Sequence, residues 1–204
     1  MARRFVSPKL VVATHNRGKA QEIRTMLAGF GVEIVSMADL GLPAPAETGT
    51  TFEGNATIKA LAAARASKLP ALADDSGLSV HALGGEPGVY TADWEGPERS
   101  AMVGMKRIQD EFRKRGVPDT DADHGATFHC VLALAWPDEH VELVHGTLDG
   151  RIVWPPRGSG GHGYDPCFQP AGDRRTNAEM STDEKNAISH RGRAFAKLVE
   201  ACFR

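Results

Sequence analysis

The sequence predicts an α/β fold: a mixed β-sheet flanked by helices, in one domain with two lobes. Three observations carry this. Short β-branched runs alternate with helical segments in the first half of the chain. An alternation runs through Thr127–Trp136, with Phe128, Cys130, Leu132, Leu134 and Trp136 facing one way. Helical spacing then returns before the C-terminus, so αβ units are followed by a meander and then by helices. A chain of 204 residues is long enough for one substantial core, and no repeat or linker divides it.

Each element has a local reason. Leu10–Ala13 reads as a buried strand, ending in the turn Thr14–Lys19. A helix follows from Lys19 to Leu27, with Ile23, Met26 and Leu27 on one face, and Gly29 and Gly31 stop it. Val32–Val35 is a second strand, and the proline-containing stretch Gly41–Gly49 a loop. Thr50–Glu53 has capping-box spacing ahead of an Ala-rich helix, Asn55–Lys68. The strand Ala71–Asp74 runs into an acidic turn, Asp74-Asp75-Ser76-Gly77, and resumes at Leu78–Val80. Leu83–Gly96, with its glycines and proline, reads as an ordered surface loop. Arg99–Arg115 is an amphipathic helix whose Met102, Met105, Ile108 and Phe112 fall at core spacing. Thr127–Trp136 and Val141–Thr147 form a hairpin, and Asp149-Gly150 turns into a third antiparallel strand, Arg151–Trp154. Arg157–Gly163 is a Gly-rich loop. Ser181 and Glu184 form a second capping box, opening a helical stretch that breaks near His190-Arg191.

Composition excludes several classes. With 41% hydrophobic and 25% charged residues and a net charge of −2, the chain has no general attraction for nucleic acid polymers or anionic membranes. No run reaches the length of a membrane span, and Met1–Pro8 carries Arg3 and Arg4 but no signal-peptide core. Three scattered cysteines without a CxxC pair read as a reduced, cytoplasmic protein.

Four stretches can carry chemistry. Adjacent carboxylates Asp74 and Asp75 at a strand end repel unless a cation or proton sits between them, and carboxylates suit a hard divalent cation. Thr14-His15-Asn16-Arg17-Gly18-Lys19 is a strand-to-helix turn, which aims backbone N–H groups and a positive helix end at an anion. Glu47 precedes a helix in which Asn55 and Lys59 share a face; this reads either as a carboxylate and ammonium beside a phosphate chain or as a solvated helix face. The glycines around His162 and Tyr164 can form a wall against a planar base, and Lys185, His190 and Arg191 supply donors for phosphate and a base edge. Together they form the inventory of a metal-dependent nucleotide enzyme.

These residues resemble the Ham1/RdgB family of inosine triphosphate pyrophosphatases. The resemblance runs from about Lys9 to the C-terminus on "VVATHNRGK", "ETGTTFEGNATIKA", "LADDSGLSVHALGGEPGVYTA", "TFHCVLALAW", "GSGGHGYDPCF" and "EMSTDEKNAISHRG". It implies an elongated mixed sheet with a central cleft between the two lobes, usually in a homodimer. It also implies hydrolysis of non-standard purine nucleoside triphosphates (ITP, dITP, XTP) to the monophosphate and pyrophosphate with Mg2+. Carried over, Asp75 is the general base and a metal ligand, with Glu47 as the second ligand. Thr14, His15, Asn16, Arg17, Gly18 and Lys19 bind phosphates, with Lys59 and Ser76 beside the substrate. His162, Gly163, Tyr164, Asp165, Lys185, His190 and Arg191 surround the nucleotide. The chain departs from the family at His162, where phenylalanine is common, and at Ala46, where some relatives carry an acid. A non-catalytic nucleotide sensor, a flavoprotein-like module and a pyrophosphatase for modified pyrimidine nucleotides remain as alternatives.

Overall fold

A computed structural model describes residues 2–14 and 17–204, with the side chains of 17–19 and 22 outside that description. Among the described residues, seven strands form one mixed sheet. They are β1 (Lys9–Val12), β2 (Glu33–Ser36), β3 (Ala71–Val80), β4 (Pro87–Gly88), β5 (Gly125–Ala135), β6 (Val141–Ile152) and β7 (Phe168–Pro170). The helices are α1 (Arg17–Leu27), α2 (Phe52–Ser67), α3 (Ala101–Arg115), α4 (Thr182–Ile188) and α5 (His190–Leu198). Strand order is β2-β1-β3-β5-β6-β7, with β4 beside β3. β1 runs parallel to β2 and β3, whereas β3–β4 and β6–β7 are antiparallel. No described helix is long and apolar enough to cross a membrane.

The chain divides into two compact units: Met1–Asp75, Cys130–Gly146 and Arg193–Arg204 in the first, Ser76–His129 and Thr147–Gly192 in the second. In the first, sheet residues alternate between two cores, as the period of a strand requires. Leu10, Val12, Leu72, Cys130, Leu132 and Leu134 meet Ile23 and Leu27 of α1 and Phe195 and Leu198 of α5. Val11, Ala71, Ala73, Val131, Ala133 and Ala135 meet Ala56, Ala60, Ala63 and Ala64 of α2. Helix and sheet thus face each other there largely through methyl groups, so α2 lies close to the strands. The second unit has its own core, in which Met105, Ile108 and Phe112 of α3 join Leu78, Val80, Phe128 and Phe168.

The structure corrects five local expectations. Asp74–Gly77 is not a turn: β3 runs unbroken from Ala71 to Val80, because both aspartates are buried in the sheet rather than exposed on a loop. Asp149-Gly150 is not a turn either. β6 continues to Ile152, and no third strand covers Arg151–Trp154; Gly150 instead pairs with Pro170 of β7. A Cβ on Gly150 would stand 2.3 Å from the Gln169 carbonyl oxygen, so the glycine serves close strand approach. The N-cap of α2 is Thr51, whose hydroxyl accepts the Gly54 N–H at 3.0 Å; Gly54 has no carboxylate to reciprocate, so no capping box forms. Met102 is 53% exposed and outside the core. Leu83–Gly96 is more structured than a surface loop: it holds β4 and a 3-10 turn at Asp93–Glu95, and buries Leu83 and Trp94.

Gly150→Ala is expected to lower the thermal midpoint, because the clashing atom belongs to backbone and cannot swing aside. A cost of about 1–3 kcal/mol is expected from overpacking; an unchanged midpoint by calorimetry would contradict the close approach.

Candidate active site

In the first unit the site is assembled where β1 ends against its parallel neighbour β3, which runs on past it. Val12 pairs with Leu72, so the chain leaving β1 at Ala13 and Thr14 emerges beside the aspartates of β3. Ala13 N–H donates to the Leu72 carbonyl at 2.8 Å, tying that exit to the neighbouring strand. Carboxyl ends of parallel strands are where open α/β sheets place ligands. Asp74 and Asp75 are 8% and 7% exposed and, as successive strand residues, point to opposite faces. Asp75 shares its face with Ala71 and Ala73, toward α2.

From α2 come Asn55 and Lys59, one helical turn apart and both buried. The solvated-face alternative for this pair is therefore wrong. Lys59 Nζ donates to Asp75 Oδ1 at 2.8 Å and to Glu47 Oε1 at 3.1 Å. Asn55 Oδ1 accepts the Gly49 N–H at 2.8 Å, which holds the loop carrying Glu47 against the helix. Asp75 Oδ2 is buried with no hydrogen-bond partner among the described residues. Burial pushes the Asp75 carboxyl above its ordinary pKa; Lys59 opposes this, and the Glu47 charge adds to it. Burial works against the Lys59 charge, but its hydrogen bond to Asp75 and the surrounding carboxylates raise its pKa, so it remains an ammonium.

In the second unit the organising group is Asp165, 5% exposed. Its Oδ2 accepts the His162 N–H and the Lys185 Nζ, each at 2.7 Å, and its Oδ1 accepts Asn177 Nδ2 at 3.0 Å. Gly160 N–H donates to the Ala178 carbonyl at 3.0 Å, fixing the other side of the glycine loop. Gly161 adopts φ +72°, and a Cβ there would meet Asp165 Oδ2 at 2.2 Å. Both the turn and the carboxylate therefore exclude a side chain. Lys185 rides on α4, whose capping box between Ser181 and Glu184 is formed as expected. The helix breaks at Ser189, which is extended, and the Ser189 hydroxyl accepts the Gly192 N–H at 2.9 Å to start α5.

That break places His190 against Phe128, with ring centroids 4.9 Å apart and planes 13° from parallel. Its Nδ1 is buried without a partner among the described residues. Burial, with help from the Arg191 and Lys185 charges, lowers the His190 pKa to about 3.

Residues 10–201 match the Ham1 family profile. The chain belongs to the Ham1 family. It is 52% identical over 206 residues to a dITP/XTP pyrophosphatase of Bradyrhizobium sp. strain BTAi1, covering 98% of this chain and 96% of that one. Identity to the dITP/XTP pyrophosphatase of Gluconobacter oxydans is 53%, covering 98% and 94%. A HAM1 protein structure from Coxiella burnetii superposes with a TM-score of 0.89 at 37% identity, covering 95% and 98%.

Set against the Ham1 motifs, the structure brings Asp75, Lys59 and Glu47 together, and separately joins Asp165, Lys185 and the His162 backbone. Ser76 follows Asp75 within β3, and Arg191 follows His190 in α5. Thr14 is half-buried beyond β1. His15 and Asn16 lie outside the described residues, as do the side chains of Arg17, Gly18 and Lys19. Tyr164 does not form a base-stacking wall: it is 2% exposed, its hydroxyl donates to the Thr91 carbonyl at 3.0 Å, and burial raises its pKa. His162, next to Gly163 in the chain, is exposed. Sequence reading missed Asn177 as the support of Asp165. Its one signal was the Thr176-x-x-Glu179 spacing, a capping box that fixes the Asn177–Glu179 turn.

A depressed His190 pKa means that the unfolded chain takes up the proton first. Folding stability should therefore fall as pH drops from 6.5 toward about 3, by at most roughly 1.4 kcal/mol per pH unit. Between about pH 6.5 and 5.5 ordinary carboxylates stay almost fully ionised, so the slope there should be shallower in His190→Gln than in the wild type. Denaturant midpoints across that window check it, and a slope unchanged in the variant would remove His190 as its source.

Proposed function

We propose that the chain hydrolyses dITP, XTP and ITP to the monophosphate and pyrophosphate, with Mg2+ as its divalent cation. The observation that carries this reading is the buried Asp75 carboxylate, paired with Lys59 and accompanied by Glu47. Two carboxylates offering hard oxygen donors, one with a buried and unpartnered Oδ2, fit a cation that completes its shell with phosphate oxygens and water. Asp75 and Glu47 would hold it; when bound, it neutralises charge on the phosphate oxygens.

The chain's own groups supply the rest. Asp75 orients the attacking water and accepts its proton, and the burial that raises its pKa makes it a stronger base. Lys59 and Lys19 stabilise the negative charge of the departing pyrophosphate. Arg191 donates to the 6-oxo group of hypoxanthine or xanthine, whereas the 6-amino group of adenine would face it as a second donor. A buried mismatch of that kind costs about 1–3 kcal/mol, enough for roughly ten- to hundredfold selectivity. His162 provides the ring beside the base. We also read the protein as a homodimer; Met102 and Val103, adjacent on α3 and 53% and 52% exposed, support an apolar association surface.

Pyrophosphate release measured across dITP, XTP, ITP, GTP, ATP and dUTP tests the function. The first three are expected to turn over fastest. Preference for dUTP would favour a pyrimidine nucleotide enzyme, and binding without turnover a sensor. Asp75→Asn should lose about a hundredfold or more in kcat while still binding nucleotide. Near-normal turnover in that variant would take Asp75 out of the chemistry.

A further inference from the structure

Resting on the pyrophosphatase reading, we propose that Lys59 is a built-in occupant of the cation seat: a divalent ion enters by displacing its ammonium, which the substrate triphosphate then receives. Lys59 Nζ lies 2.8 Å from Asp75 Oδ1 and 3.1 Å from Glu47 Oε1. Magnesium takes carboxylate oxygens at roughly 2.0–2.1 Å. A metal touching both of these oxygens therefore sits in the space the ammonium fills, and two cations that close repel strongly.

Leaving that seat is costly for Lys59 alone. Its side chain is only 11% exposed, so an ammonium pulled off both carboxylates without a new acceptor would be desolvated and unpaired. The flexible four-carbon stem lets it turn to another acceptor when one is present. Triphosphate oxygens are such acceptors. Asp75 retains an open lone-pair site meanwhile, because Oδ2 has no partner among the described residues. Metal without nucleotide must then bind weakly, and nucleotide must tighten metal by the factor by which metal tightens nucleotide. Lys59 would act as a positioning residue that makes the two ligands enter together.

The test measures Mn2+ binding to the nucleotide-free protein by electron paramagnetic resonance. Lys59→Met should bind Mn2+ about tenfold tighter than wild type, and α,β-methylene-dITP should tighten Mn2+ more in wild type than in the variant. A general loss of positive charge would also raise affinity, so a second readout is needed. Amine acetylation followed by mass spectrometry should find Lys59 protected in protein alone, reactive under saturating Mn2+, and protected again when the analogue is added. Unchanged Lys59 labelling under saturating Mn2+, or equal or weaker Mn2+ binding by Lys59→Met, overturns the exchange. Should Lys59→Met not fold, labelling of the wild type decides alone. A protein that releases no pyrophosphate from dITP or XTP overturns the function itself; one that does, with Lys59 still protected under Mn2+, overturns only the exchange.

Discussion

A carboxylate buried inside a sheet needs a counter-charge within reach, and Asp75 takes it from Lys59. Most of the first unit can be read as the means of delivering that ammonium. The methyl-faced packing of α2 on β3 and β5 lets the helix come near enough, and the spacing of Asn55 and Lys59 puts both on one face of the helix, with Lys59 reaching Asp75 within β3. Asn55 then spends its carbonyl on Gly49, which brings Glu47 to the same nitrogen. As a stabiliser such a pair is poor, since desolvation consumes most of its Coulomb gain. Removing one partner is another matter, with a cost of about 3–5 kcal/mol. The pair is thus best understood as a constraint that keeps charge at a defined point.

The second unit solves a related problem differently. Asp165 is as buried as Asp75, but it is satisfied by a backbone N–H, an amide and an ammonium from three separate stretches of chain. One carboxylate thereby sets the path of the glycine loop and the position of Lys185 together. Asn177 acts through the carboxylate: it donates to Asp165 Oδ1, while Oδ2 lies where a side chain on Gly161 would stand.

The parts legible in sequence were those with local causes. β1, α1, the Ala-rich helix and the Ser181 capping box follow from periodicity and cap chemistry, and the motif order was enough to place the chain among Ham1 proteins. What misled was punctuation. Asp-Asp-Ser-Gly and Asp-Gly are strong turn signals in an isolated peptide, but here tertiary burial overrides them, and both stretches continue as strand. Tyr164 was read as a wall because it lies in a glycine loop; only the fold shows Thr91 waiting for its hydroxyl. Lys59 was underestimated because a lone lysine on a helix usually faces solvent, and its partners Asp75 and Glu47 lie 16 and 12 residues away in the chain.

The unbroken course of β3 has a consequence for the aspartate doublet. In a turn, either acid could swing into use, and the pair would offer a spare. In a strand the two are locked by parity: Asp75 belongs to the face of Ala71 and Ala73, Asp74 to that of Leu72. Gaining or losing a single residue in the run from Leu69 to Ala73 would exchange their faces, offering Lys59 the wrong neighbour while leaving the motif Asp-Asp-Ser-Gly intact to the eye. The doublet is a frame-sensitive device, and its spelling alone does not guarantee its chemistry.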